Sequence, residues 1–304
     1  MEKIKKKILI TGSTGMLGQD LVSQLGCDYE IGTVDLKSLQ DERGNFFCGD
    51  ICNSQQMEQV FLKFEPWLVI HAAAYTDVDG CQRNPDKARQ INTEGTKNIA
   101  SLCKKHKVKL LYISTDYVFD GKKGRPYKEN DAVNPLNIYG RSKLQGEEFV
   151  QTNLDEFLIV RTSGLFGRSG KNFVDTIIKK AEKSEPLKVV DDQTGSPTYT
   201  VSLSEAINRL IEIVFLSPKQ TEKLGIYHIS NSGSCSWHEF AKAIINLKKF
   251  NVEIVPIDSS IINQPAERPK LSVLDNSRYE QVTNNKLCSW QEALDKYLAS
   301  RDAN

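Results

Sequence analysis

The sequence predicts a doubly wound α/β protein, with a parallel sheet in its first half and a smaller α/β unit toward the C-terminus. Three observations carry this. Short apolar runs alternate with helical stretches, the first run passes into a helix through a glycine-rich turn, and the rhythm changes after about residue 165. Lys7 to Thr11 reads as a strand, and Met16 to Gly26 shows helical spacing through Leu17, Leu21, Val22 and Leu25. Further strands are predicted at Ile31 to Val34, Trp67 to Ala72, Val108 to Ser114 and Phe157 to Arg161, with helices at 54 to 64, 85 to 106 and 139 to 153. Beyond residue 165 come a helix at 173 to 183, a Gly/Pro-marked segment from Asp191 to Pro197 and a helix at 202 to 215. The stretch from Pro256 to Pro269 reads as an ordered loop. This divides the chain into 1–165, with returns from about 197–220, and a smaller, interleaved unit made mainly of 166–304.

Composition narrows the function classes. With 39% apolar and 26% charged residues in 304, the chain can bury a real core. A formal charge of +1 supplies no field for nucleic acid or an anionic membrane. Lys3, Lys5, Lys6 and Lys7 precede an apolar run that breaks at Gly12, too short for a signal peptide, and no stretch approaches a membrane span. The cytoplasm is therefore the expected location. The seven cysteines (27, 48, 52, 81, 103, 235 and 288) contain no C-x-x-C pair and read as reduced structural thiols. His71, His106, His228 and His238 are scattered, without the i, i+4 spacing of a helical metal pair, so no metal is expected.

Thr11-Gly12-Ser13-Thr14-Gly15-Met16-Leu17-Gly18 lies where the first strand hands over to the first helix. Glycine at 12, 15 and 18 removes side chains where a pyrophosphate must approach the backbone, and the helix N-terminus offers amide donors to it. In this strand-to-helix context the loop is suited to the pyrophosphate of a dinucleotide such as NADH or NADPH, with Gly18 allowing the helix to pack closely on the sheet. Asp35 follows Gly12 by 23 residues and closes the second predicted strand, the position of an acid that bonds the adenosine ribose. Lys37 stands where it can meet a 2'-phosphate, so the choice between NADH and NADPH stays open.

Tyr139 and Lys143 are four residues apart and share a helix face. They open the helix that follows the strand ending near Ser114 and Thr115, at the sheet edge where an α/β cleft forms. An ammonium beside a phenol stabilises the phenolate, so Tyr139 is suited to donate a proton to a carbonyl oxygen while Thr115 bonds that oxygen.

These features, with Ala72-Ala73-Ala74-Tyr75-Thr76-Asp77-Val78-Asp79, Ser114-Thr115-Asp116-Tyr117-Val118-Phe119-Asp120-Gly121, Asn134-Pro135-Leu136-Asn137-Ile138-Tyr139-Gly140 and Asp192-Gln193-Thr194-Gly195-Ser196-Pro197-Thr198, resemble the dTDP-4-dehydrorhamnose reductases, a family of extended short-chain dehydrogenases. Tyr227-His228, Ser236-Trp237 and Arg268-Pro269-Lys270-Leu271-Ser272 extend the resemblance nearly end to end. It implies NAD(P)H-dependent reduction of the C4 ketone of a dTDP-linked 6-deoxy-4-ketohexose, in polysaccharide precursor synthesis. Gly15, Met16 and Leu17 would meet the cofactor phosphates, Asp50 and Ile51 the adenine, and Ala74, Tyr75 and Thr76 the nicotinamide side. Thr115 and Asp116 would touch the sugar, Tyr139 would donate the proton, Lys143 would hold ribose and tyrosine, and Arg268 would contact a phosphate. A nucleotide sugar is thus the expected partner, and a homodimer is compatible with the resemblance.

The family usually has tryptophan in Arg-Thr-Ser-Trp, whereas this chain reads Arg161-Thr162-Ser163-Gly164, which removes an aromatic wall near the sugar. Met16-Leu17 also stands where many relatives have Gln-Leu. The same cofactor loop, threonine, tyrosine and lysine serve nucleotide-sugar epimerases and dehydratases, and a non-catalytic regulatory subunit can keep this fold. Those readings remain open at the level of sequence.

Overall fold

Strand β1 (Lys7–Thr11) lies inside a seven-stranded sheet whose strand pairs all run parallel. The computed structural model that shows this describes residues 5–37, 45–217 and 221–302; Lys3 of the basic N-terminus lies outside them. Helix α1 (Met16–Leu25), strands β2 (Glu30–Asp35) and β3 (Asn45–Cys48), helix α2 (Ser54–Phe64) and strand β4 (Leu68–His71) follow. Helices α3 (Val78–Arg83), α4 (Pro85–Ala88) and α5 (Thr96–His106) come next, the last two joined through a π-helical turn at Arg89–Gly95. Strand β5 (Lys109–Thr115), helix α6 (Ile138–Asn153) and strand β6 (Phe157–Thr162) complete the alternating part.

The rest of the chain holds β7 (Leu165–Phe166), α7 (Phe173–Ala181), β8 (Leu187–Val190), β9 (Thr194–Gly195), β10 (Thr198–Tyr199), α8 (Thr200–Phe215) and β11 (Gly225–His228). It ends with β12 (Cys235–Ser236), α9 (Trp237–Lys248), β13 (Ile254–Ile257), α10 (Ser277–Thr283) and α11 (Trp290–Asp302). The sheet runs β11, β6, β5, β4, β1, β2, β3, so the chain winds outward in both directions from β1. The reversal opens a crevice beyond the carboxyl ends of β1 and β4.

Burial follows the strand period of two. Ile8 and Ile10 of β1 face one apolar cluster with Leu17, Leu21 and Leu25 of α1 and Leu203, Ile207 and Leu210 of α8. Leu9 faces the other, with Met57 and Phe61 of α2, Ile99 and Cys103 of α5, and Tyr112 and Val150. A third cluster gathers Phe166, Ile177, Phe240, Leu294 and Tyr297 of the later elements. Covering both sheet faces makes its inner strands near-continuously apolar, which is why they could be read from the sequence.

The structure departs from the sequence reading in four places. Strands β3 and β11 were not expected, and β11 brings residues beyond 220 back to the sheet edge, with α10 beside it. The helix expected at 85 to 106 is interrupted by the π-helical turn. The loop expected from Pro256 to Pro269 begins inside β13, which pairs with β8. Helices α3, α9, α10 and α11 add elements that had not been assigned.

Two buried histidines are held neutral. His228 Nδ1 lies 2.9 Å from the Tyr127 carbonyl and Nε2 lies 3.4 Å from Arg161 Nη1. Nδ1 therefore donates and Nε2 accepts, and burial lowers the pKa from 6.5 to about 3. Its native form binds fewer protons than the unfolded form across that interval. Its contribution to stability is thus complete above the unfolded pKa and is lost as pH falls toward about 3. Asp116, raised by burial to about 7, works in the opposite sense, so a comparison of variants isolates the histidine. The thermal midpoint of His228→Gln should lie below that of the parent at neutral pH, and the gap should narrow as pH is lowered from about 7 to about 4.

Candidate active site

The glycine turn folds tightly against the start of α1. A Cβ at Gly18 would sit 2.1 Å from the Gly12 carbonyl oxygen, so only glycine lets the helix approach the turn this closely. The first turn of α1 carries no acidic side chain, and its N-cap Gly15 makes no side-chain capping bond. The amides there are left available to an anion. Across the turn, Asp35 Oδ2 accepts from the Thr14 amide at 3.0 Å and the Thr14 hydroxyl at 2.8 Å. Its Oδ1 accepts from the Leu36 amide at 2.7 Å. This leaves capacity on the carboxylate for a further donor.

This turn forms one end of a cavity of about 1160 Å³. Gly12, Gly15, Met16, Leu17, Gly18, Asp35, Asp50, Ile51, Ala74, Tyr75 and Thr76 all line it, as do Thr115, Asp116, Tyr139 and Lys143. Arg268 does not join them. Its guanidinium pairs with Asp79, Nη1 to Oδ1 at 3.1 Å and Nη2 to Oδ2 at 2.9 Å, and Nη1 also donates to the Ala266 carbonyl.

The other end of the cavity is built where β5 meets α6. Asn137 caps the helix by accepting from the Gly140 amide at 2.9 Å, while its Nδ2 donates to the Glu267 carbonyl at 2.7 Å. A Cβ at Gly140 would meet the Tyr117 carbonyl oxygen at 2.1 Å, so glycine here allows the helix start to press against the turn after β5. Tyr139, one residue earlier, stands edge-on to Tyr117 with ring centroids 6.0 Å apart. The Thr115 hydroxyl faces its phenol and also donates to Asp116 Oδ1 at 3.1 Å.

Electrostatics follow from burial. The Tyr139 phenol is pushed up by desolvation, with Asp116 and Cys81 adding to the effect and Thr115 opposing it, so it is a neutral donor around pH 7. Lys143 is almost wholly buried, with Nζ 4.1 Å from the centroid of the Tyr112 ring. Desolvation brings its ammonium down to about 7, against the pull of Glu147. Asp116 is raised to about 7 by burial, with Ser272 and Thr115 acting the other way.

Several supports had escaped the sequence reading. Asn92, in the π-helical turn, accepts from the Tyr75 amide at 2.7 Å and donates to the Tyr75 carbonyl at 3.1 Å and to Ser142 Oγ at 3.0 Å. It ties the loop after β4 to the helix of Tyr139 and Lys143. His71 stacks on Tyr112 at 5.5 Å and bridges Thr11 and Thr96 beneath the cleft. Lys171, Gln193, Trp237 and Ser272 line the cavity from the later elements. Gln193, Trp237 and Ser272 lie in segments that carry the family resemblance, though no role had been assigned to them, and Lys171 lies in none. Gly164 also lines the cavity, at φ +55° and without a side chain, while Trp237 packs on Phe173 at 4.7 Å.

Residues 6–302 match the family model described as the RmlD substrate binding domain. The chain belongs to this family. It is 38% identical over 298 residues to the spore coat polysaccharide biosynthesis protein SpsK of Bacillus subtilis, covering 98% of each chain. The dTDP-4-dehydrorhamnose reductase of Aggregatibacter actinomycetemcomitans is 35% identical, with 95% of this chain and 97% of that one covered. Among solved structures, dTDP-4-dehydrorhamnose reductase from Bacillus anthracis in complex with NADP superposes with a TM-score of 0.88 at 38% identity, covering 97% of this chain and 99% of that one. The expected resemblance and the doubly wound fold are thereby borne out.

Proposed function

We propose that this chain reduces the C4 ketone of dTDP-4-dehydro-6-deoxy-L-mannose (dTDP-4-dehydrorhamnose) to dTDP-L-rhamnose with NADH or NADPH, in polysaccharide precursor biosynthesis. The observation that carries this reading is the continuity of one cavity from the glycine turn to Thr115, Tyr139 and Lys143. The relatives named for this reaction, matched nearly end to end, support it.

The residues present fit a dinucleotide. The unencumbered N-terminus of α1 would hold the pyrophosphate, Asp35 the adenosine ribose, Asp50 and Ile51 the adenine edge, and Ala74, Tyr75 and Thr76 the nicotinamide side. The bound reduced nicotinamide supplies the hydride. Thr115 and Asp116 orient the sugar, with the C4 oxygen between the Thr115 hydroxyl and the Tyr139 phenol. Tyr139 gives its proton to that oxygen, and the phenolate left behind is stabilised by the Lys143 ammonium. Lys143 would also hold the nicotinamide ribose. The sheet-bearing part acts as the dinucleotide-binding unit, and the later elements carrying Gln193, Trp237 and Ser272 act as the nucleotide-sugar-binding unit.

Gly164 favours a second reading, in which the same reduction acts on another nucleotide sugar. The bare wall there enlarges the space beside the hexose. Steady-state oxidation of NADPH with dTDP-4-dehydrorhamnose, compared with other 4-ketohexose nucleotides, separates the two.

Tyr139→Phe should lower kcat by at least about 100-fold while NADPH binding, read by fluorescence titration, changes little. Retained turnover would remove Tyr139 from the proton-donor role. Asp35→Ser removes a carboxylate that repels a 2'-phosphate, so the ratio of kcat/KM for NADPH over NADH should rise about tenfold, equivalent to roughly 1.4 kcal/mol. An unchanged ratio would place the ribose elsewhere.

A further inference from the structure

Glu147 lies one helical turn beyond Lys143 and two beyond Tyr139, on the same face of α6. It is completely buried. Its carboxylate accepts from Ser114 Oγ at 2.5 Å, from Arg161 Nε at 2.9 Å and from Arg161 Nη2 at 2.6 Å. Arg161 is anchored in turn, with Nη1 reaching the Glu129 carbonyl and His228 Nε2, each at 3.4 Å, and its guanidinium over the Phe119 ring at 5.2 Å. None of these groups lines the cleft except Ser114, the residue before Thr115.

A buried ion pair is weak as a source of stability, because desolvating two charges offsets most of their attraction. The position of this one has a different consequence. Lys143 faces His71 from β4 and Tyr112 from β5, both neutral, and the Tyr139 phenol along its own helix, while Asp116 acts on the Tyr139 phenol. The carboxylate one turn along α6 is the anion acting on the Lys143 ammonium, and the Arg161 cation stands behind it on β6.

We propose that Glu147 is a positioning residue for the reduction: clamped by Ser114 and Arg161, it supplies the counter-charge that keeps Lys143 an ammonium inside the core and fixes α6 to the strand that ends in Thr115. This rests on the reading of Tyr139 and Lys143 as the reacting pair. Because the ammonium is needed, activity falls as pH rises through the Lys143 titration. Removing the Glu147 charge favours the neutral amine, and the Arg161 cation left unpaired acts in the same direction. The alkaline limb must therefore move to lower pH.

The test is the pH profile of kcat for NADPH-dependent reduction of dTDP-4-dehydrorhamnose by the full-length chain, with circular dichroism and NADPH titration on each variant. For Glu147→Gln the alkaline limb should shift down by roughly one pH unit, with KM for the sugar nucleotide little changed. Glu147→Asp, which keeps the charge, should return the limb toward its original position. Should Glu147→Gln not fold, the double variant Glu147→Gln/Arg161→Met removes both charges together, a change that buried pairs often tolerate, and should move the limb the same way by less. A folded variant with uniformly lowered activity and an unmoved limb would reduce Glu147 to a packing role and overturn the proposal. Absence of turnover in the parent protein would instead overturn the functional reading on which it rests.

Discussion

The proposed reduction depends on how helix α6 is pinned across the end of strand β5. Reacting groups separated by a fraction of an ångström from their productive geometry lose much of their effect, so two elements from different parts of the chain must be held in fixed register. The apolar faces of α6 cannot do this alone, since dispersion and burial are nearly indifferent to small sliding. Polar contacts inside the core supply the register: Ser114 to Glu147, Asn92 to Ser142, Thr93 Oγ1 to the Ser142 carbonyl, and the Asn137 cap. Each is directional and sits where an unmade bond is costly.

The same logic explains the interior of the sheet edge. His71, Tyr112 and Lys143 form a stack in which a neutral imidazole, a phenol ring and an ammonium lie in sequence beneath the cleft. Keeping His71 neutral spares the core a second cation beside Lys143, and its two ring nitrogens are satisfied by Thr11 and Thr96.

The parts legible in the sequence were those whose signal is local. The apolar strands of the first half, the glycine turn and the Tyr139/Lys143 pair each occupy a few consecutive residues, and their order along the chain implied the sheet edge they share. Strand β11 was not legible because Gly225–His228 is four residues long and alternates too briefly to outweigh its surroundings; its pairing with β6 makes it a strand. The π-helical turn at Arg89–Gly95 keeps the composition of an ordinary helix, so nothing in that stretch predicts the shift that aims Asn92. Arg268 illustrates the converse limit. Its motif was recognisable, but its pairing with Asp79, 189 residues away, was not.

That pairing has a consequence for the architecture as a whole. The segment around Arg268 is tied to α3 through Asp79 and to the cap of α6 through the Glu267 carbonyl, while β11 completes the sheet from the far end of the chain. The later part of the chain thus contributes structural bonds to the part that carries Tyr139. Neither half is a portable module: recombining one with a counterpart from a distant relative would take away the Glu267 carbonyl that holds the capping Asn137 side chain of α6, so specificity in such a scaffold changes by substitution along the cavity wall rather than by exchange of domains.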